Sequence, residues 1–158
     1  MLKTFSSINK EICLEVNFNT EDDIFDTIYY SKQNFLIWKN FPLNKRIDLV
    51  KNFLKIFYSK KLEIAKRLTI ESSKPIKDVN FEIELFKKKA DEMINIAKKH
   101  LEVKNKDNQI FVRIPLGICV ILNSWNDPLQ IISNVIIPCL ISGNTVIFKC
   151  SNQIPSIG

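Results

Sequence analysis

The sequence predicts an α/β chain in which a helical amino-terminal segment with a short β start leads into one parallel β-α-β unit. Three observations predict it. Apolar residues recur at helical spacing through the middle of the chain, as in Ile47, Val50, Leu54 and Phe57. Two β-branched apolar runs, Leu116 to Leu122 and Thr145 to Lys149, flank a long apolar stretch from Pro128 to Ile141. Charge also changes character near residue 108. From Asn108 to Gly158 the only formal charges are Arg113, Asp127 and Lys149, whereas the preceding residues mix both signs densely. The chain therefore divides into residues 1–107, read as surface-wrapping helices, and residues 108–158, read as buried core.

Glu11 to Val16 alternates apolar and polar residues and reads as a strand. Thr20 before Glu21, Asp22 and Asp23 is a helix N-cap followed by acids, which the positive end of the helix dipole favours. Ile24, Ile28 and Phe35 share one face of that helix, and Pro42 ends the pattern. A second helix carries Ile47 to Phe57 and continues or restarts through Leu62, Ala65 and Leu68. Glu71 to Pro75 reads as a turn. A third helix from Ile76 places Val79, Ile83, Phe86, Ala90, Met93 and Ala97 three or four apart. Lys104 to Asn108 is a polar linker. Leu116 to Leu122 suits a strand buried on both faces. Pro128 to Ile141 is a buried helix, Ser142-Gly143-Asn144 stops it, and Thr145 to Lys149 is the second strand of a right-handed parallel crossover. Two parallel strands cannot be covered by this chain alone, so exposed apolar surface is expected there.

Composition narrows the function. A hydrophobic fraction of 46% and a charged fraction of 25% fit a globular protein, and 3 Gly with 6 Pro exclude collagen-like and linker-like chains. No apolar run is long enough for a membrane span, and the start Met1 to Phe5 lacks the apolar core of a secretory signal, so a cytoplasmic protein is expected. The net charge is +6, yet Arg46, Arg67 and Arg113 are the only arginines. Base readout favours the arginine fork, and the lysines are interleaved with acids, so no nucleic-acid partner is expected. Cys13, Cys119, Cys139 and Cys150 form no close pair and His100 is the single histidine, so no metal site is expected.

The informative residues follow the strands. Ser124-Trp125-Asn126-Asp127-Pro128 follows the first, and Lys149-Cys150-Ser151-Asn152 the second. Ligands of open parallel sheets bind at the carboxyl ends of strands, so both segments should face one crevice. A side-chain amide there can donate to a developing oxyanion, and a lysine can bind sugar hydroxyls or phosphate. Taken alone, each reads more often as structural than functional, because Asn before a proline-containing turn is common turn chemistry and a lysine just past a strand is usually solvated.

Together the segments Arg113-Ile114-Pro115-Leu116-Gly117, Ser124-Trp125-Asn126-Asp127-Pro128-Leu129 and Ser142-Gly143-Asn144-Thr145-Val146-Ile147-Phe148-Lys149 resemble the aldehyde dehydrogenase superfamily in order and spacing. That family shows Pro-Leu-Gly, Pro-Trp-Asn-x-Pro and Gly-Asn-Thr-Val-x-x-Lys-Pro-Ser-Glu motifs. Upstream, Asn34-Phe35-Leu36-Ile37-Trp38 is similar to its Ala-Phe-x-x-Trp helix end, and Leu68 to Pro75 to its Leu-x-x-Glu-x-Gly-Lys-Pro turn. The resemblance covers nearly the whole chain.

It implies the start of an aldehyde-dehydrogenase-like, Rossmann-type parallel sheet, left incomplete, and NAD- or NADP-dependent oxidation of a small-molecule aldehyde to a carboxylic acid. In the family a cysteine thiolate attacks the carbonyl, hydride passes to the nicotinamide, and a glutamate-activated water cleaves the thioester. By resemblance Asn126 is the side-chain half of the oxyanion hole, and Lys149 contacts the adenosine ribose. Trp125 helps shape the floor of the cofactor and substrate channel, Ser124 is a cofactor-binding position beside it, the strand with Ile121 and Leu122 lines the cofactor cleft, and Asn152 stands at the ribose acceptor position.

The chain departs from the pattern at Ser124 and Cys150, each in place of a proline, at Ser73 in place of a turn glycine, and at Asn152 in place of glutamate. A carboxylate repels a 2′-phosphate and an amide does not, so the sequence favours neither NAD nor NADP. The family's nucleophilic cysteine and general-base glutamate lie beyond the positions matched here. The 158-residue chain alone is therefore expected to be inactive, with the missing carboxyl-terminal portion or a second copy as partner. The alternative is a non-catalytic binding or oligomerisation module derived from the same fold.

Overall fold

A computed structural model describes residues 1–6 and 8–158, with the side chain of Lys106 outside the description. The chain opens with an antiparallel hairpin, β1 (Leu2–Phe5) and β2 (Ile12–Val16), paired Leu2 to Val16 and irregular between Thr4 and Phe5. Only the second of these strands was legible in the sequence. β1 holds too few alternating residues to stand out, and pairing creates it.

Four helices follow. Thr20 caps α1 (Glu21–Trp38): its hydroxyl accepts the Asp23 N–H, and the Asp23 carboxylate accepts the Thr20 N–H at 2.8 Å. Those bonds hold the Asp23 carboxyl below its usual range. α1 packs on the later sheet and on the end of the helix before its second strand. Ser31 Oγ donates to Thr145 Oγ1 at 3.1 Å, Thr145 Oγ1 donates to the Ser31 carbonyl at 3.2 Å, and Trp38 Nε1 donates to the Leu140 carbonyl at 2.9 Å. Ile24 and Ile28, expected on its inner face, are half exposed.

α2 (Leu43–Ser59) breaks at Lys60 and restarts as α3 (Lys61–Ser72). The restart ends at Ser73, whose φ of 63° is left-handed. α4 (Ile76–Leu101) is the longest element and buries Val79, Ile83, Phe86, Ala90, Ile94 and Ala97 as one stripe. It also buries Glu82. Met93, expected in the stripe, only flanks it.

The expected linker after α4 is instead a small hairpin, β3 (Lys104–Lys106) with β4 (Gln109–Phe111). Asp107 and Asn108 both take positive φ, as a tight hairpin turn demands of its two central residues, and Asp and Asn tolerate it.

β5 (Ile118–Leu122) and β6 (Thr145–Lys149) pair in parallel, Ile118 to Thr145 through Leu122 to Lys149. The helix between them is not uniform. α5 (Pro128–Ile131) widens into a π turn over Ile132–Ile136 before α6 (Ile137–Ile141). Pro138 explains the break, because its ring has no N–H and clashes with the carbonyl four residues back. Gly143, at φ 94°, ends the helix, and the Ser142, Gly143 and Asn144 N–H groups close back on the Pro138, Leu140 and Cys139 carbonyls.

The reading of residues 1–107 as surface helices is corrected by the packing. The core is helical, and α2, α3 and α4 meet α5, the π turn and α6 in one cluster. β5 is not buried on both faces: Ile121 is covered, while Val120 and Leu122 are 65% and 74% exposed. With Leu116 and Trp125 they form the exposed apolar surface that an incomplete sheet implies. Among the described residues no helix is long and apolar enough to cross a membrane.

Candidate functional site

The parallel register brings the carboxyl ends of β5 and β6 to the same edge of the sheet. The Asn123 N–H donates to the Lys149 carbonyl at 2.9 Å, one step past the last strand pair, so the two loops leave side by side.

Ser124, Trp125 and Asn126 follow, all exposed. The Asn126 carboxamide makes no hydrogen bond to any described residue, so its N–H groups are free to donate outward. From the other loop, exposed Lys149 donates through Nζ to Asn152 Oδ1 at 2.6 Å. That pair is held in place from behind. Ile154 is 1% exposed and plugs the core, and Ser156 Oγ donates to Glu71 Oε2 on α3 at 2.7 Å.

The seven residues singled out from the sequence separate into three placements. Asn126, Trp125 and Ser124 share one loop, and Lys149 and Asn152 share the neighbouring one. Leu122 lies on the exposed face of β5, whereas Ile121 is 7% exposed and lies on the covered face. A surface built on β5 receives the Leu122 side chain but only the backbone of Ile121.

Sequence reasoning missed what holds these loops. Glu82 is 4% exposed, the one charged residue among the buried side chains described. Its Oε1 accepts the Leu129 N–H at 3.1 Å and its Oε2 accepts Lys74 Nζ at 2.8 Å. Lys74 Nζ also donates to Asp127 Oδ1 at 2.9 Å. Burial pulls the Lys74 pKa down, but hydrogen bonds and charge attraction from the two carboxylates outweigh it and leave the ammonium raised. A signal existed: Glu82 stands three residues after Val79 and four before Phe86, a charge on an otherwise apolar stripe. Asn144 was missed as well. Its Oδ1 accepts the Leu116 N–H at 2.7 Å and the Gly117 N–H at 2.9 Å, locking the turn before β5 to the turn before β6.

Cys139, on α6, is not poised as a nucleophile. Burial, and then the neighbouring Cys119 thiol, push Cys139 up to about 11, which keeps it protonated at neutral pH.

A parallel β-α-β unit whose two loops leave side by side at the carboxyl edge has the architecture of open α/β sheets, the class of protein whose ligands bind in that crevice. The model of the aldehyde dehydrogenase family matches residues 1–158, and the chain belongs to that family. It is 32% identical over 128 residues to the lactaldehyde dehydrogenase of Methanocaldococcus jannaschii, spanning 77% of this chain and 27% of that protein. It is 26% identical over 155 residues to the N-succinylglutamate 5-semialdehyde dehydrogenase of Photorhabdus laumondii, spanning 96% of this chain and 32% of that one. The fold matches an NAD-dependent benzaldehyde dehydrogenase from Corynebacterium glutamicum with a TM-score of 0.88 and 19% identity, over 99% of this chain and 35% of that chain. The chain thus spans about a third of the length of the relatives it matches.

Proposed function

We propose that this chain is the amino-terminal portion of an NAD(P)-dependent aldehyde dehydrogenase, supplying the oxyanion donor and the adenosine side of the cofactor cleft. The observation that supports the reading is the pairing of the two strand ends, from which the loop bearing Asn126 and the loop bearing Lys149 and Asn152 start side by side.

The residues present fit the adenosine half of a dinucleotide. Lys149 offers an exposed cation and Asn152 an acceptor for a ribose diol, and Leu122 and Trp125 offer an exposed apolar surface for a base. The cofactor, when bound, accepts the hydride. Asn126 donates its carboxamide N–H to the oxygen of the aldehyde as that oxygen gains charge, without reorganising, because no described residue competes for it. Asn152 leaves room for either NAD or NADP, since an amide does not repel a 2′-phosphate. The nucleophilic cysteine and general-base glutamate belong to the remainder of the enzyme, which also covers Val120 and Leu122. The same exposed residues disfavour a self-contained binding module. We place the protein in the cytoplasm, where its four free cysteines stay reduced.

The test joins residues 1–158 to the remaining length of the Methanocaldococcus jannaschii lactaldehyde dehydrogenase and measures turnover of an aldehyde panel with NAD and NADP. Turnover is expected from the chimera and none from the 158-residue chain. Asn126→Ala should lower kcat by about 100- to 1000-fold, as loss of one oxyanion donor does elsewhere. A chimera in which Asn126→Ala turns over as fast as its parent would sink the reading.

A further inference from the structure

We propose that Lys74, Glu82 and Asp127 form a positioning device that sets the posture of the Ser124–Asp127 loop and, resting on the oxyanion reading above, the aim of Asn126. The loop has two anchors. Upstream, the Asn123 N–H is bound to the Lys149 carbonyl. Downstream, Asp127 is bound to Lys74 and the Leu129 N–H to Glu82. Only Ser124, Trp125 and Asn126 lie between them, and Asn126 makes no bond of its own to set its direction. The direction is therefore inherited from its neighbours.

The cluster is poorly suited to a purely stabilising role. Glu82 is nearly sealed from solvent, and desolvating a carboxylate costs several kcal/mol before any pairing is counted. An apolar residue in the α4 stripe would pack there without that cost. What an apolar residue cannot do is hold three separate segments in register: the turn after α3 that carries Lys74, the α4 helix, and the loop after β5. Charge-assisted bonds of 2.8 to 2.9 Å fix both distance and direction. A second α4 contact two turns on, Lys89 Nζ to Gln130 Oε1 at 3.0 Å, holds the same short helix start. α4 thus acts as the bench on which the site loop is mounted.

The chain has two tryptophans, and Trp125 adjoins Asn126 whereas Trp38 lies on α1, so one spectrum carries probe and control. The 158-residue chain, labelled with 5-fluorotryptophan, should show two fluorine signals, assigned with Trp125→Phe. Lys74→Met should shift or broaden the Trp125 signal and leave that of Trp38 unchanged, and Lys74→Arg should restore the original spectrum. If Lys74→Met does not fold, Glu82→Gln, which keeps an acceptor for Leu129, should give the same selective change. A Trp125 signal indifferent to both variants, or one that moves only together with Trp38, overturns the proposal. The two readings fail separately. A selective Trp125 response with no effect of Asn126→Ala on the chimera sinks the oxyanion role alone, and the reverse pattern sinks the positioning role alone.

Discussion

Glu82 Oε1 accepts the backbone N–H of Leu129 at 3.1 Å, tying the second turn of the longest helix to the first turn of the helix that follows the Ser124–Asp127 loop. This places a carboxylate at the start of α5, and the same carboxylate balances Lys74. Glu82→Ala removes both acceptors at once. It leaves a mostly buried ammonium with one partner and a buried N–H with none, so stability should fall by about 3 kcal/mol. Glu82→Gln keeps the acceptor for Leu129 and should lose roughly half as much. Urea midpoints of the two variants give the comparison. Equal losses would mean that the backbone bond contributes nothing.

The pair also predicts a pH dependence. Lys74 binds its proton more tightly folded than unfolded, because its two carboxylates are present only in the fold. The stability it contributes is fully present below its ordinary value of 10.5 and is lost as pH rises through the higher folded value. Unfolding followed across that alkaline range should show a steeper loss in the parent chain than in Lys74→Met. Parallel curves would mean that Lys74 is equally basic in both states.

Ser73 caps the end of α3 at φ 63°, where the related motif carries glycine. A side chain in the left-handed region costs about 1–2 kcal/mol, and glycine returns part of that through its freer unfolded state. Ser73→Gly should therefore stabilise the chain by about 0.5–1 kcal/mol, seen as a rise in Tm. An unchanged or lower Tm would show that the Ser73 side chain holds the turn in some other way.

Much of this fold was legible because its signals are periodic. The α4 stripe from Val79 to Ala97 repeats every three or four residues, the Thr20–Asp23 cap is local, and β5 and β6 are uninterrupted apolar runs. The parts that were hidden depend on pairing or on competition. β1 and the β3–β4 hairpin exist because a partner strand returns, which no single run reveals. The π turn arises from a proline acting four residues upstream of its own position. At the site, the loops were legible as motifs, but their supports were not. Lys74 and Asp127 lie 53 positions apart, and nothing local to either announces the other.

Asn144 shows the same limit. The Gly-Asn-Thr motif was visible, yet its structural content is a pair of bonds to Leu116 and Gly117, far back in the chain. Asn144 is 7% exposed, and its amide also donates to Ser142 Oγ at 2.8 Å. Asn144→Ala abandons all of these and should cost about 2 kcal/mol, less than the sum because water reaches exposed Leu116. Hydrogen exchange at the Leu116 and Gly117 amides should accelerate in the variant. Unchanged exchange would show that those amides are protected by packing alone.

Asn123 makes the opposite case. It follows β5 directly, is 9% exposed, and neither polar atom of its carboxamide has a partner among the described residues. A buried amide without partners costs about 1–3 kcal/mol, whereas an apolar group of the same shape incurs no such loss. Asn123→Leu keeps the branched outline and the number of heavy atoms and removes the unpaired dipole, and the backbone bond to Lys149 does not involve the side chain. The variant should therefore be more stable than its parent by about 1–2 kcal/mol in urea unfolding. Because the bond to Lys149 survives, the two strand ends should stay paired and the Trp125 fluorine signal should not move. A loss of stability in Asn123→Leu would mean that the amide is satisfied by a bound molecule, and this residue would then join Asn126 and Lys149 in the proposed site.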